Sequence, residues 1–258
     1  MGRDSTMKLT VIGCAGSFPA PDSPCSAYLV EAEGFKLLID FGSGSLGNLQ
    51  NFINPHDLDA VILTHLHADH FFDACPYAVM RRYAPTGPYE PLRVYGPENT
   101  HQRLVDAYGG EGEHRCAGLT DVYDVHTLKP STFDLGPFSI SVDRVTHPVE
   151  TFGVRLEYLG RSLTYSSDTG PSAALDRLAA HCDVLLAEAA YTEERENPKG
   201  VHLTGKEAGE CATKAGAGRL LLTHLVHSWG SAETALSEAR QSYTGPVEVV
   251  RPGAVYEL

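Results

Sequence analysis

Between residues 65 and 70 the chain reads His65-Leu66-His67-Ala68-Asp69-His70, so four potential metal donors fall within six positions. Neutral imidazole and carboxylate are the ligands that zinc, iron or manganese accept. The H-x-H-x-D-H spacing suits a tight turn. It points donors inward on two sides, so the cluster can serve two adjacent metals. A solvated histidine-rich loop is the plainer alternative. It fits poorly, because the cluster follows the apolar run Val61-Ile62-Leu63 without a polar stretch between.

Three further donors stand where strands should end. His147 follows Arg144-Val145-Thr146, Asp168 follows Thr164-Tyr165-Ser166-Ser167, and His224 follows Leu220-Leu221-Leu222-Thr223. Each alone reads equally as a cap, turn or core residue. Together they complete the ligands that two metals need. His56, His101, His114, His126, His181 and His227 lack this context and read as surface residues. Asp40 also ends a strand. It reads either as a carboxylate orienting a ligand histidine or as a turn residue. Gly42-Ser43-Gly44-Ser45 precedes a helix and could offer backbone N–H groups to an anion, or be a structural turn.

The elements that must position these donors are short strands and helices. Strands are expected at Lys8–Ile12, Ser26–Glu31, Phe35–Asp40, Ala60–Leu63, Leu92–Tyr95, Val122–His126, Phe138–Thr146, Gly153–Tyr158, Ser162–Ser166, Val184–Ala187, Arg219–Thr223 and Val247–Val250. Helices are expected at Leu46–Phe52, Phe71–Tyr83 with a kink or late start at Pro76, Thr100–Tyr108, Ser172–Ala180, Thr204–Ala215 and Ala232–Tyr243. Thr204 and Glu207 form a capping box. Gly109–Thr120 reads as a surface loop. Two strand-rich halves interleaved with helices suggest two packed sheets covered by helices on both outer faces.

Composition bounds the rest. A chain of 258 residues, 42% hydrophobic, can bury one substantial α/β core. Residues 1–6 read as a disordered tail and 7–258 as a single domain. The formal net charge of −13 argues against a basic nucleic-acid surface. Bound divalent metals would still reverse the local charge and permit phosphate chemistry. No signal peptide or membrane-spanning run is seen. Six scattered cysteines without a C-x-x-C pair fit a reduced, cytoplasmic protein with small buried thiols.

The ordered blocks T-H-L-H-A-D-H, T-H-P, S-S-D-T-G, H-L-T-G-K-E-A-G and L-L-L-T-H resemble the metallo-β-lactamase fold superfamily, over nearly the whole chain. The resemblance implies an α/β fold, a four-layer αββα sandwich with the site at one edge of the sheets. By position it implies that His65, His67 and His147 hold one metal, and Asp69, His70 and His224 the other. Asp168 is then the bridging carboxylate, as in the dinuclear hydrolases and unlike the lactamases. Two divalent ions are implied, zinc first, with manganese or iron suiting the same ligands. A homodimer is common in the family, although no residue here shows one.

The chemistry expected is attack of a metal-bridging hydroxide on a phosphodiester, with Asp69 orienting the nucleophile. His202, in His202-Leu203-Thr204-Gly205, matches the block in phosphodiesterase branches where a histidine sits near the leaving group. It is the candidate general acid, against the plainer reading of an exposed histidine at a helix start. Thiolester, lactone and alkylsulfatase-like hydrolysis are the other enzymatic readings, and a metal-site relic acting as a scaffold is the non-enzymatic one. The tRNA 3′-processing (ribonuclease Z-like) branch carries an inserted arm between the positions of His147 and Asp168. Here those residues are only 168 − 147 = 21 positions apart, so large RNA is not the expected partner. Pro21-Asp22-Ser23-Pro24, Asp40-Phe41-Gly42-Ser43-Gly44, Arg81-Arg82-Tyr83 and His202–Gly209 resemble the actinobacterial atypical cyclic-nucleotide phosphodiesterases. A small cyclic phosphodiester is therefore the expected substrate, with Arg81, Arg82 and Tyr83 either holding a nucleotide or ending a solvated helix.

Overall fold

A computed structural model describes residues 6–109 and 118–258. The expected tail falls mainly on residues 1–5, outside the described residues. So do most of the Gly109–Thr120 loop, His114 and Cys116. Met7 is fully buried, and its amide donates to the Leu258 carbonyl.

The described residues form two seven-stranded sheets. The first contains β1 (Lys8–Gly13), β2 (Ala27–Ala32), β3 (Phe35–Ile39), β4 (Ala60–Ile62), β5 (Leu92–Gly96), β6 (Tyr123–Thr127) and β14 (Val255–Glu257). Its order is β14-β1-β2-β3-β4-β5-β6. The second contains β7 (Ser131–Leu135), β8 (Phe138–Arg144), β9 (Phe152–Tyr158), β10 (Arg161–Tyr165), β11 (Val184–Glu188), β12 (Arg219–Thr223) and β13 (Val247–Val249). Its order is β13-β12-β11-β10-β9-β8-β7. Strands β3 to β6 run parallel, as do β10 to β13.

Side-chain alternation along the strands builds the layers. Leu37 and Ile39 of β3 face the second sheet, meeting Phe138, Val154, Leu163 and Leu186 in one core. Leu38 between them faces outward. It packs in a separate core with α1 (Ser45–Leu49), α3 (Ala74–Arg82) and α4 (Thr100–Tyr108). Leu185 and Ala187 of β11 face the opposite side. They meet α5 (Ala173–Ala179), α6 (Gly205–Ala215) and α7 (Ala232–Ser242). The result is the αββα sandwich.

Several boundaries differ from the sequence reading. The helix read as Phe71–Tyr83 is two: α2 (Ala68–Phe71), a single turn, and α3, starting at Ala74. Pro76 thus lies in the first turn of α3, where its missing N–H costs nothing. Helix α1 ends at Leu49, and β8 at Arg144. Strands β7 and β14 were not anticipated. Both are short sheet edges, half exposed, with little apolar alternation to mark them. The capping box is present: Glu207 N donates to Thr204 Oγ1 at 3.2 Å, and Thr204 N to Glu207 Oε2 at 2.9 Å.

The turn α2 is bound tightly to the end of β3. Phe41 N donates to the His70 carbonyl at 2.6 Å, and Asp73 N to the Phe41 carbonyl at 3.0 Å. Gly42 is what allows this approach, since a Cβ there would lie 2.0 Å from the Asp69 carbonyl oxygen. Gly42→Ala must displace that backbone, so a loss of roughly 1–3 kcal/mol is expected, as for overpacked cores. Thermal or urea unfolding of the variant measures it, and unchanged stability would show that α2 yields freely.

Candidate active site

Parallel strands from both sheets end at one edge, the place where such sheets present ligands. All seven donors read from the sequence meet there. His65 and His67 follow β4, with His67 the residue before α2 and Asp69 and His70 inside it. His147 follows β8, Asp168 follows β10, and His224 follows β12 directly.

The donors separate into two groups. In one, His67 Nδ1 lies 3.1 Å from His65 Nε2 and 3.3 Å from His147 Nε2. In the other, His224 Nε2 lies 3.2 Å from His70 Nε2 and 3.1 Å from Asp69 Oδ2. Asp168 stands between them. Its Oδ2 is 3.7 Å from His65 Nε2, while Oδ1 is 3.2 Å from His70 and 3.3 Å from His224.

These distances fit cations. Donor atoms at about 2.0–2.1 Å around a tetrahedral zinc are separated by roughly 3.3 Å. The proton inventory agrees. His147 Nδ1–H donates to the Val201 carbonyl at 2.8 Å, and because that ring is neutral its Nε2 keeps a lone pair, while His70 Nδ1–H donates to Asp40 at 2.7 Å and turns its Nε2 toward the second group. Asp168 Oδ1 is buried and makes no hydrogen bond. A buried acceptor among imidazole nitrogens is costly unless a cation lies between them.

Burial sets the protonation states. It depresses the pKa values of His65 and His67 and lowers His147 to about 4, so these three rings are neutral, as ligands must be. Burial also opposes charge on His70. The carboxylates of Asp168, Asp40 and Asp69 outweigh it and raise His70 well above its ordinary value. Burial pushes Asp168 up, but the charges of His224 and His70 hold it well below the carboxylate range. Asp69 is held low in the same way by His70 and His224.

Asp40 orients a donor, as one of its two readings anticipated. It is fully buried and receives Thr64 N at 2.8 Å, Thr64 Oγ1 at 3.0 Å and Tyr165 OH at 3.2 Å besides His70. In Gly42–Ser45 the Gly42 amide donates to the Ser26 carbonyl at 3.0 Å and the Ser45 amide to the Gly42 carbonyl at 3.1 Å, and Leu46 N donates to Asp73 Oδ2 at 2.7 Å, which favours the structural-turn reading. Arg81 and Arg82 are likewise engaged elsewhere. Arg81 donates to Tyr77 OH and the Glu90 carbonyl, and Arg82 to Asp121. Tyr83 is exposed. Of the histidines set aside as surface residues, His126, His181 and His227 are exposed, whereas His56 and His101 are half-buried.

His202 also reaches the site, 3.9 Å from Asp168 Oδ2. It is not the exposed histidine of a helix start; its side chain is 9% exposed. Glu188, which the sequence reading passed over, holds it: Nδ1–H donates to Glu188 Oε1 at 2.8 Å. Burial opposes charge on His202, but the Glu188 carboxylate and this hydrogen bond raise its pKa to about 9. Glu188 accepts also from Thr169 N at 2.8 Å and Ala190 N at 3.1 Å, so both oxygens are spoken for. A carboxylate closing the all-apolar run Val184-Leu185-Leu186-Ala187 was the signal that would have found it.

A family model described as a beta-lactamase superfamily domain matches residues 36–225. An uncharacterized protein of Mycobacterium leprae is 41% identical, covering 100% of this chain and 90% of that one. A ribonuclease Z of Mycolicibacterium paratuberculosis is 31% identical, covering 94% and 95%. The crystal structure of the metallo-beta-lactamase fold protein YhfI from Bacillus subtilis superimposes with a TM-score of 0.87, at 29% identity over 98% of this chain and 100% of that one. The chain belongs to the beta-lactamase superfamily. Within it, this is a metallo-hydrolase of the ribonuclease Z-like branch.

The Glu188 contact predicts a measurable titration. In metal-free protein the His202 ring, followed by NMR, should lose its proton near pH 9, because a raised pKa keeps the charged form present up to that value. In Glu188→Gln the midpoint should fall by roughly one to two units, the effect typical of a lost carboxylate partner. An unmoved midpoint would show that Glu188 does not hold the charge.

Proposed function

We propose that the chain is a dinuclear-metal-dependent phosphodiesterase acting on a small phosphodiester such as a cyclic nucleotide. The observation that carries this reading is the buried His202, held by the Glu188 carboxylate at 2.8 Å and set beside seven metal donors. A thiolate leaves without help, whereas an alkoxide leaving from phosphorus needs a proton.

His65, His67 and His147 would hold one cation and Asp69, His70 and His224 the other, with Asp168 standing between the two groups. Two divalent ions there, zinc foremost, would lower the pKa of water and neutralise charge developing at phosphorus. Asp69 uses Oδ2 to accept from Ser17 N at 2.8 Å and to face His224. Its Oδ1 has no protein hydrogen bond among the described residues and orients the attacking water in line with the leaving oxygen. His202 passes its Nε2 proton to that oxygen as the P–O bond breaks. Glu188 keeps the ring charged and aimed, and solvent restores the proton.

The relative named a ribonuclease favours a second reading, cleavage of RNA. Two observations weigh against it. Between His147 and Asp168 the chain forms only the β9–β10 hairpin, turning at Leu159-Gly160. The net charge of −13 also opposes a long polyanion.

A substrate panel on metal-loaded protein tests the proposal: cyclic nucleotides, bis(p-nitrophenyl) phosphate, precursor tRNA and S-lactoylglutathione. Turnover of the small diesters is expected. Turnover of the thiolester alone would overturn the proposal, and cleavage of precursor tRNA alone would establish the second reading. His202→Ala should keep both metals by elemental analysis and lose about 10²–10⁴ in kcat on a diester with a poor leaving group. Wild-type kcat in that variant would remove His202 from the mechanism.

A further inference from the structure

The chain has one tryptophan, Trp229, and nothing above uses it. It is half-buried and follows His224 by five positions. Its indole lies on Tyr191, with ring centroids 5.9 Å apart and planes 33° apart. Tyr191 in turn meets the His202 ring at 5.0 Å and 89°. The rings form a continuous step leading away from the proton donor.

This step is not part of the sandwich's packing. Tyr191 belongs to none of the three cores between the layers. With Ala190 and Val226 it makes a small separate cluster, against which Val201 and Trp229 pack. Yet it is built firmly. Tyr191 N donates to the Leu203 carbonyl at 3.0 Å, and Tyr191 pairs with Thr204 in an isolated bridge. Position 230 is glycine, and a Cβ there would lie 2.6 Å from Thr192 Cγ2, so the glycine lets the indole loop close on the Tyr191 segment. The exposed Arg195 guanidinium lies 5.4 Å from the centroid of the Trp229 ring and has no ion pair among the described residues. An aromatic face beside an unpaired cation suits a planar heteroaromatic ring attached to a phosphate.

We propose that the half-buried Trp229, backed by the Tyr191 ring, which is only 7% exposed, forms a stacking step for the nucleobase of the substrate, with the exposed Arg195 guanidinium beside it. This rests on the phosphodiesterase reading, since the Tyr191 ring joins Trp229 to His202, the group assigned to the leaving oxygen. Stacking of this kind reads any base by its flat face, so the step selects nucleotides over other phosphodiesters without choosing strongly among bases.

Because Trp229 is the sole tryptophan, the step reports on itself. Metal-loaded protein is excited selectively at the indole and titrated with 5′-AMP or with ribose 5-phosphate, which carries the phosphate without a base. Free N-acetyltryptophanamide corrects for nucleotide absorbance. Saturable change with 5′-AMP and a flat response to ribose 5-phosphate are expected. Equal responses to both, or none to 5′-AMP at concentrations that inhibit turnover, would overturn the proposal. In kinetics, Trp229→Ala should raise KM for a 3′,5′-cyclic nucleotide roughly tenfold with little change in kcat, and Trp229→Phe should restore it. A wild-type KM in the alanine variant would overturn it too. Failure of every phosphodiester to turn over would sink the enzymatic reading instead, and the 5′-AMP titration would still decide whether the step binds a base.

Discussion

One buried carboxylate ties the two sheets to the site. Asp40 is removed from water completely, and a charge so placed is costly unless it is fully hydrogen-bonded. Its partners come from three places. Thr64 supplies two donors from the end of β4, His70 one from α2, and Tyr165 one from β10 in the opposite sheet. Thr64 Oγ1 also accepts from Ser167 Oγ at 2.7 Å, next to Asp168. The separation of the sheets, the position of α2 and the aim of His70 are therefore one constraint. A shift of either sheet leaves the carboxylate short of a donor.

Backbone conformation at the strand ends serves the same purpose. Asp40, Ser167 and His224 all adopt left-handed φ values, of 61°, 55° and 54°. Such a conformation costs a non-glycine residue roughly 1–2 kcal/mol. Each lies just past the end of a parallel strand and at, or next to, a site residue. A continued strand would alternate side chains between the two faces of its sheet. The left-handed residue breaks that alternation and turns the chain across the sheet edge, where donors from both sheets can meet. The hydrogen bonds around Asp40 help to hold these conformations in place, in keeping with strain gathering where function demands a geometry.

What was legible in the sequence follows from this arrangement. The donors could be read because the His65–His70 cluster and His224 stand after apolar runs, which mark parallel strands buried on both faces, and because His147 and Asp168 stand where strands should end. The four layers followed from the order of strands and helices. Asp40 remained undecided between two roles, because its partners Thr64, His70 and Tyr165 lie 24, 30 and 125 positions away. Glu188 went unseen for a related reason. It ends β11 as its apolar neighbours would, and only the fold brings His202 to it. The edge strands β7 and β14 were missed because half-exposed edges carry little hydrophobic signal. Local pattern shows which residues can do chemistry, and long-range contact decides what each one does.

The clearest case is the pair Val201-His202. Burial depresses the pKa of both His147 and His202, yet the two rings end on opposite sides of neutrality. The difference lies in what accepts each Nδ1 proton. His147 donates to the Val201 carbonyl, an uncharged acceptor that fixes the tautomer without stabilising a second proton. His202, the next residue along from that carbonyl, donates to the Glu188 carboxylate, which stabilises the imidazolium. One peptide segment thus prepares a neutral ring suited to bind a cation and a charged ring suited to release a proton. Its own place is set by the amide of Tyr191 on the Leu203 carbonyl and by the capping box that starts α6. A displacement of the Val201–Thr204 segment would disturb both rings at once, so the two halves of the chemistry are coupled through a short stretch of backbone that binds no metal itself.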